Sequence, residues 1–244
     1  MRIYRKEFAH RYGTYEFGYT LWVEREMGDT PECIYQGGYL PYSGPDAQAG
    51  TLFYMARSAR ISLAHFSLSS ENRRIVKKFD GLLLREVVPL KQFNWKDKTF
   101  LSFCTGYFTA RFGQKIMPEK RLLSILGSGL VTHIIVYSWK ESGCLAGYVL
   151  LVSDGASAHF WYSFYDTAHI KKSLGMWLMI DTARFAHEKG KKHLYVGTVY
   201  GDKARYKTNF NRLEYWDGSK WVSDVKMLRE LAKKDGARVF DNTR

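Results

Sequence analysis

From residue 131 onward the apolar positions fall into runs of strand length separated by turn residues. Residues 131–139 (VTHIIVYSW) and 144–152 (CLAGYVLLV) are rich in β-branched and aromatic side chains, and the KESG between them signals a hairpin. SDGA then turns the chain into AHFWYSFYD, residues 158–166, a third antiparallel strand. After KKSLG the pattern becomes helical: MWLMIDTARFAHEKG runs from Met176 and stops at Gly190, a residue suited to a helix C-cap. Residues 193–200 (HLYVGTVY) return to strand. The predicted order is three antiparallel strands, a crossover helix, and a strand able to pair parallel to the third.

Upstream the pattern is less regular. Residues 1–50 are rich in Tyr and Gly, carry turn signals at Gly28–Pro31 and Tyr42–Asp46, and read as short strands and loops. Residues 53–66 contain alternating stretches such as ISLAHF and predict a strand, and SSENRRIVKKF predicts a helix capped by Ser69 or Ser70. Residues 118–126 predict a short helix, with proline near its start and glycines past its end. Residues 89–97 read as a connection. The expected organisation is therefore a strand-rich N-terminal region with a basic helix over 1–92, and a second domain over 93–244.

Composition adds a partner to this picture. The 244 residues carry a net charge of +13 and 16% aromatic residues, a combination that suits a polyanion with stackable rings. Three cysteines (Cys33, Cys104 and Cys144) form no CxxC pair, and the histidines show no ligand spacing, so no metal site is expected. With no apolar run near the ~20 residues that span a bilayer and no signal-peptide core, the reading is a soluble cytoplasmic protein with no membrane partner.

The strand–helix order resembles the core of the GNAT acyltransferase fold, so the fold class expected is α/β (α+β): a GNAT-like mixed sheet with a crossover helix. Such folds hold an acyl donor where the third and final strands part, here at FYD (Phe164–Asp166) and VGTVYGDKARYK (196–207). Acetyl-CoA users of this fold cradle the pyrophosphate in a loop of type [QR]xxGx[GA] opening the helix. KSLGMW has Gly175 but places Trp177 where a small residue belongs, and an indole there is expected to crowd the phosphates.

The ordered set Phe164-Tyr165-Asp166, Ser173-Leu174-Gly175, Leu194-Tyr195-Val196-Gly197, Tyr206-Lys207 and Phe210 resembles the C-terminal domain of the arginyl-tRNA–protein transferases and their bacterial leucyl-transferring relatives. Upstream, FYMARSARISLAHFSLSSENRRIVKK resembles that family's N-terminal stretch, so the likeness covers roughly residues 53–80 and 158–222. Three departures stand out. Met55, Ala56, Ser58 and Ala59 stand where members usually carry a cysteine cluster, Thr167 replaces a proline, and Ala204 replaces a methionine. The resemblance implies an aminoacyltransferase that takes an amino acid from aminoacyl-tRNA to a protein or peptide amine, with the charged tRNA as co-substrate and no cofactor. The alternatives are an acyl-CoA-dependent GNAT N-acyltransferase and a tRNA- or RNA-binding module without transfer activity.

That chemistry converts an ester into an amide, and the attacking α-amine has a pKa of ~7.7–8.0, so positioning matters more than a strong base. Asp166 is placed either to hold the ammonium and take its proton or to cap the turn into the crossover. Tyr206 either stacks on the terminal adenine or donates to an oxygen, or simply packs. Tyr200, Arg205 and Lys207 supply stacking and phosphate contacts or form a solvated surface; Gly197 either lets backbone approach the donor or marks an ordinary bulge, and Ser173 and Gly175 complete the candidate donor-binding set. Arg73, Arg74, Lys77 and Lys78 form one stripe on the predicted helix, a tRNA-backbone contact or a solvated face. Arg57 and Arg60 are candidates for reading an acidic acceptor.

Overall fold

The computed structural model describes residues 1–11, 16–44 and 50–240. The chain begins with strands β1 (Arg2–Arg11) and β2 (Glu16–Glu24), helix α1 (Pro31–Gln36), and strands β3 (Tyr39–Pro41), β4 (Leu52–Met55) and β5 (Ser58–Ser62). Helix α2 (Ser70–Phe79), β6 (Leu83–Pro89), α3 (Lys98–Phe112) and α4 (Glu119–Leu126) follow. The remainder runs β7 (His133–Trp139), β8 (Leu145–Asp154), β9 (Ser157–Tyr165), α5 (Leu174–Glu188), β10 (His193–Thr198), α6 (Gly201–Ala204), β11 (Leu213–Trp216), β12 (Trp221–Val222) and α7 (Val225–Phe240). A four-stranded sheet has the order β1-β2-β4-β3, and an eight-stranded sheet the order β12-β11-β5-β10-β9-β8-β7-β6.

The larger sheet is the mixed, GNAT-like sheet expected. β7, β8 and β9 form an antiparallel meander, α5 crosses over, and β10 lies parallel to β9. Helices cover both faces. Tyr137 on β7 meets Trp177 of α5, with ring centroids 5.6 Å apart. Tyr148, paired with the adjacent position Val136, meets Phe100 and Phe103 of α3, so α3 and α5 lie on opposite faces. Helix α1 bridges the two sheets through Tyr35, whose ring lies 6.2 Å from Phe53 of β4, 4.9 Å from Tyr195 and 5.3 Å from His159. Apolar burial on both faces of the central strands explains their nearly continuous hydrophobic runs.

Three expectations change. The strand expected over 53–66 is two strands in different sheets: β4 pairs with β2 and β3, and β5 with β10 and β11. The chain passes between the sheets at Ala56–Arg57. The expected division near residue 92 falls inside the larger sheet, because β5 and β6 are two of its strands. Finally, α3 went unread, for a reason visible in its sequence: KTFLSFCTGYFTARF puts apolar residues all round the helix rather than along one stripe. The turn signal at Tyr42–Asp46 lies partly outside the described residues. Among those described, no helix is long and apolar enough to cross a membrane, and all three cysteines are free thiols.

Candidate active site

β9 and β10 pair over only three positions, Ser157–His159 against His193–Tyr195, and then part. β10 stays with β5 through a bulge at Val196, where Gly197 takes φ +81°, a left-handed conformation that strains any other residue. The parting opens a cleft of about 550 Å³. Its walls come from β9, β10, α3, the first turns of α5, α6 and the turn after it, and Leu40, Pro41 and Tyr54 of the small sheet.

The cleft's charge is one-sided. Arg111, Lys203 and Lys207 line it, and among the described residues no aspartate or glutamate does. Lys207 is the best defined of the three. Its Nζ donates to the Thr198 carbonyl at 2.8 Å and lies 3.3 Å from where a Cβ on Gly197 would stand. Burial without a carboxylate lowers its pKa to about 8. One of the three ammonium donors is thus used, and two remain for a ligand. Arg111, at the end of α3, donates to the hydroxyls of Tyr107 (3.1 Å) and Tyr165 (2.5 Å). His159 also lines the cleft, but burial depresses its pKa to about 3 and Lys207 adds to the depression, so it is neutral.

Tyr206 lines the same cleft, 42% exposed. Desolvation on its protein side pushes the phenol up to about 12, Tyr165 adding to the rise and Arg111 opposing it, so it keeps its proton at neutral pH. Ser173 and Gly175 are here too. Ser173 caps α5 in the left-handed conformation (φ 72°), and a Cβ on Gly175 would lie 2.5 Å from the Tyr165 ring. The Tyr165 ring thus packs directly on the Gly175 backbone, beside the part of the first turn of α5 that lines the cleft.

Of the sequence candidates, Tyr206, Lys207, Ser173, Gly175 and Gly197 share this cleft; the others do not line it. The Asp166 carboxylate turns away, capping the 3₁₀ turn Thr167–Lys172 through Ala168 N–H at 2.9 Å and meeting His169 at 3.0 Å. Its capping alternative is the observed one. Tyr200 accepts from the Arg57 backbone N–H at 2.8 Å, with the Arg57 guanidinium 4.7 Å above its ring. Arg205 pairs with Asp202, two residues round the turn from Lys207 and outside the cleft.

The acceptor candidates are engaged internally. Arg57 pairs with Asp235 at 2.7 Å, and Arg60 with Glu214 at 2.7 Å while lying over the Trp221 ring. Releasing either would leave a half-buried carboxylate unpaired, so neither is free to read a peptide. On α2, Arg73, Arg74, Lys77 and Lys78 are all exposed, Arg74 paired with Glu71 and Arg73 donating to the Leu68 carbonyl. Trp177 does not crowd the helix start: it is buried against Phe79 and Tyr137 and donates to Asp80 at 3.0 Å. Sequence reasoning missed Arg111, Tyr107 and Lys203. Arg111 and Tyr107 lie on α3, whose apolar residues form no single stripe, and Lys203 lies among the basic residues after β10 with no sequence signal that separates it from them.

Residues 86–217 match the family model described as "Arginine-tRNA-protein transferase, C terminus". Among relatives, an aspartate/glutamate leucyltransferase of Hyphomonas neptunium is 27% identical over 179 residues, covering 68% of this chain and 67% of its own. Another of that name from Methylorubrum extorquens is 26% identical over 234 residues, covering 84% and 87%. Among solved structures, L-PGS from Bacillus licheniformis aligns with a TM-score of 0.43 and 16% identity over 73% of this chain and 53% of that one.

Proposed function

The chain belongs to the arginine-tRNA-protein transferase family, a family of aminoacyltransferases, and we propose that its cleft joins the residue carried by an aminoacyl-tRNA to the N-terminal amine of a protein. The observation that carries this reading is the cleft itself, cationic, lined by no carboxylate among the described residues, and walled by aromatic rings where β9 and β10 part. Cations suit the phosphates at the tRNA 3′ end, and the rings suit its unpaired bases. The names of the relatives support leucine as the carried residue and an N-terminal aspartate or glutamate as the acceptor. A cationic cleft favours the same acceptors, since their side chains are anionic.

In the reaction the neutral amine nitrogen attacks the ester carbonyl, the C–O bond to the ribose breaks, and an amide forms. The proton lost by nitrogen ends on the ribose oxygen. With no carboxylate in the cleft, the amine arrives already deprotonated, as a group of pKa ~7.7–8.0 does in part at neutral pH. The Lys207 ammonium supplies a donor to the tetrahedral oxyanion, and the protonated Tyr206 phenol donates to the departing oxygen or stacks on the terminal base.

The test is a panel of charged, radiolabelled tRNAs offered with peptides differing only in their first residue. Label is expected to pass from leucyl-tRNA to peptides beginning with Asp or Glu. Transfer from acetyl-CoA instead would replace this reading by the acyl-CoA one; tight tRNA binding with no transfer from any donor would leave a binding module.

A further inference from the structure

The 3₁₀ turn Thr167–Lys172 has two sides. It gives Ile170 to the cleft, and His169 and Lys172 to a second, larger cavity of about 780 Å³. Trp139, at the end of β7, lines that cavity beside His169 and Phe79, with ring centroids 4.7 Å and 6.4 Å away. Lys78, Lys140 and Lys172 line it, all exposed and, among the described residues, none in an ion pair, with Glu141 the one lining carboxylate. Lys78 is also the last cation of the α2 stripe. Nothing in the reaction as described uses this cavity.

We propose that it is a second nucleotide subsite for the tRNA acceptor strand. It takes one unpaired nucleotide upstream of the aminoacylated end, the base against Trp139 and the flanking phosphates among the three lysines. The proposal rests on the reading of the cleft above and extends it. Its volume falls in the range of small-molecule sites, ~300–1,000 Å³. An aromatic side chain beside three ammonium groups matches a base with its phosphates, the pairing by which single strands are held without sequence preference. A single 3₁₀ turn separates it from the cleft, so one strand crossing that turn reaches both, and the α2 stripe continues the positive surface toward the duplex.

The test uses two RNA minihelices with an unpaired 3′ tail, one complete and one lacking the terminal adenosine, with binding measured against salt. Lys140→Ala/Lys172→Ala changes only exposed side chains. It is expected to weaken both RNAs about tenfold and to flatten the slope of log K against log salt by about 1.4, at ~0.7 per cation on a single strand. Trp139→Leu is expected to weaken both as well. Lys207→Met should weaken only the complete RNA, whose terminal residue lies in the cleft. Wild-type affinity and slope in the double lysine variant would overturn the proposal, and so would a loss confined to an Asp-initiated peptide, which would make the cavity an acceptor site. Should no charged tRNA donate to any amine while these binding losses appear, the subsite stands and only the transfer reading fails.

Discussion

Replacing Lys207 by methionine separates what this side chain does to folding from what it does in the cleft. Its ammonium is held by one carbonyl, Thr198, and by no carboxylate, and burial lowers its pKa from 10.5 to about 8. At ~1.4 kcal/mol per unit, that gap makes the charged form destabilising by about 3 kcal/mol relative to the unfolded chain. Below about pH 8 both states carry the proton and the folded state bears the whole penalty. Between about 8 and 10.5 the folded state releases the proton while the unfolded state keeps it, so stability rises with pH across that window. Lys207→Met should therefore melt about 6–12 °C above wild type at pH 7, with the difference largely gone by pH 10.5. The same variant should transfer at least ~100-fold more slowly, the loss that follows removal of one donor to an oxyanion. Paired melting curves at the two pH values and a transfer assay read both effects. A variant that melts at or below wild type at pH 7, or keeps the same advantage at pH 10.5, refutes the reasoning.

Tyr206→Ala should lose stacking worth ~1–3 kcal/mol and reduce transfer at subsaturating tRNA by about ten- to a hundredfold; Tyr206→Phe separates the ring from the hydroxyl, matching wild type only if stacking is the role. Asp166→Ala should leave kcat nearly unchanged and cost about 1 kcal/mol in a urea titration, because its carboxylate caps a turn rather than facing the cleft. Gly197→Ala forces a Cβ into a left-handed residue 3.3 Å from Lys207 Nζ. It should destabilise the fold by ~1–2 kcal/mol and lower kcat, as seen by thermal melting and initial rates.

The meander, the crossover helix and the parallel strand were legible because their periodicity changes sharply at turn residues, and so was the position of the cleft at the strand ends. Side-chain direction was not. Asp166 and Tyr165 are neighbours in sequence, yet the carboxylate caps a turn while the tyrosine covers Gly175. Arg205 and Lys207, two positions apart on a tight 3₁₀ turn, end on different sides, one paired with Asp202 and one inside the cleft. Arg57 looked free because its partner, Asp235, lies 178 residues away. Arg111 was hidden by a helix whose residues are apolar on every side. Charge and motif thus indicated the region, and long-range pairing decided which of its residues face the cleft.

The central claim is that this cleft forms the amide, and single-turnover transfer tests it most directly. Purified protein in excess over labelled leucyl-tRNA is mixed with a peptide beginning in aspartate, and the product is identified by mass. The account predicts one leucine in amide linkage on the peptide α-amine, formed by the wild type and nearly abolished in a folded Lys207→Met. Unimpaired product formation by that variant, or leucine lost only to hydrolysis in the wild type, would contradict it.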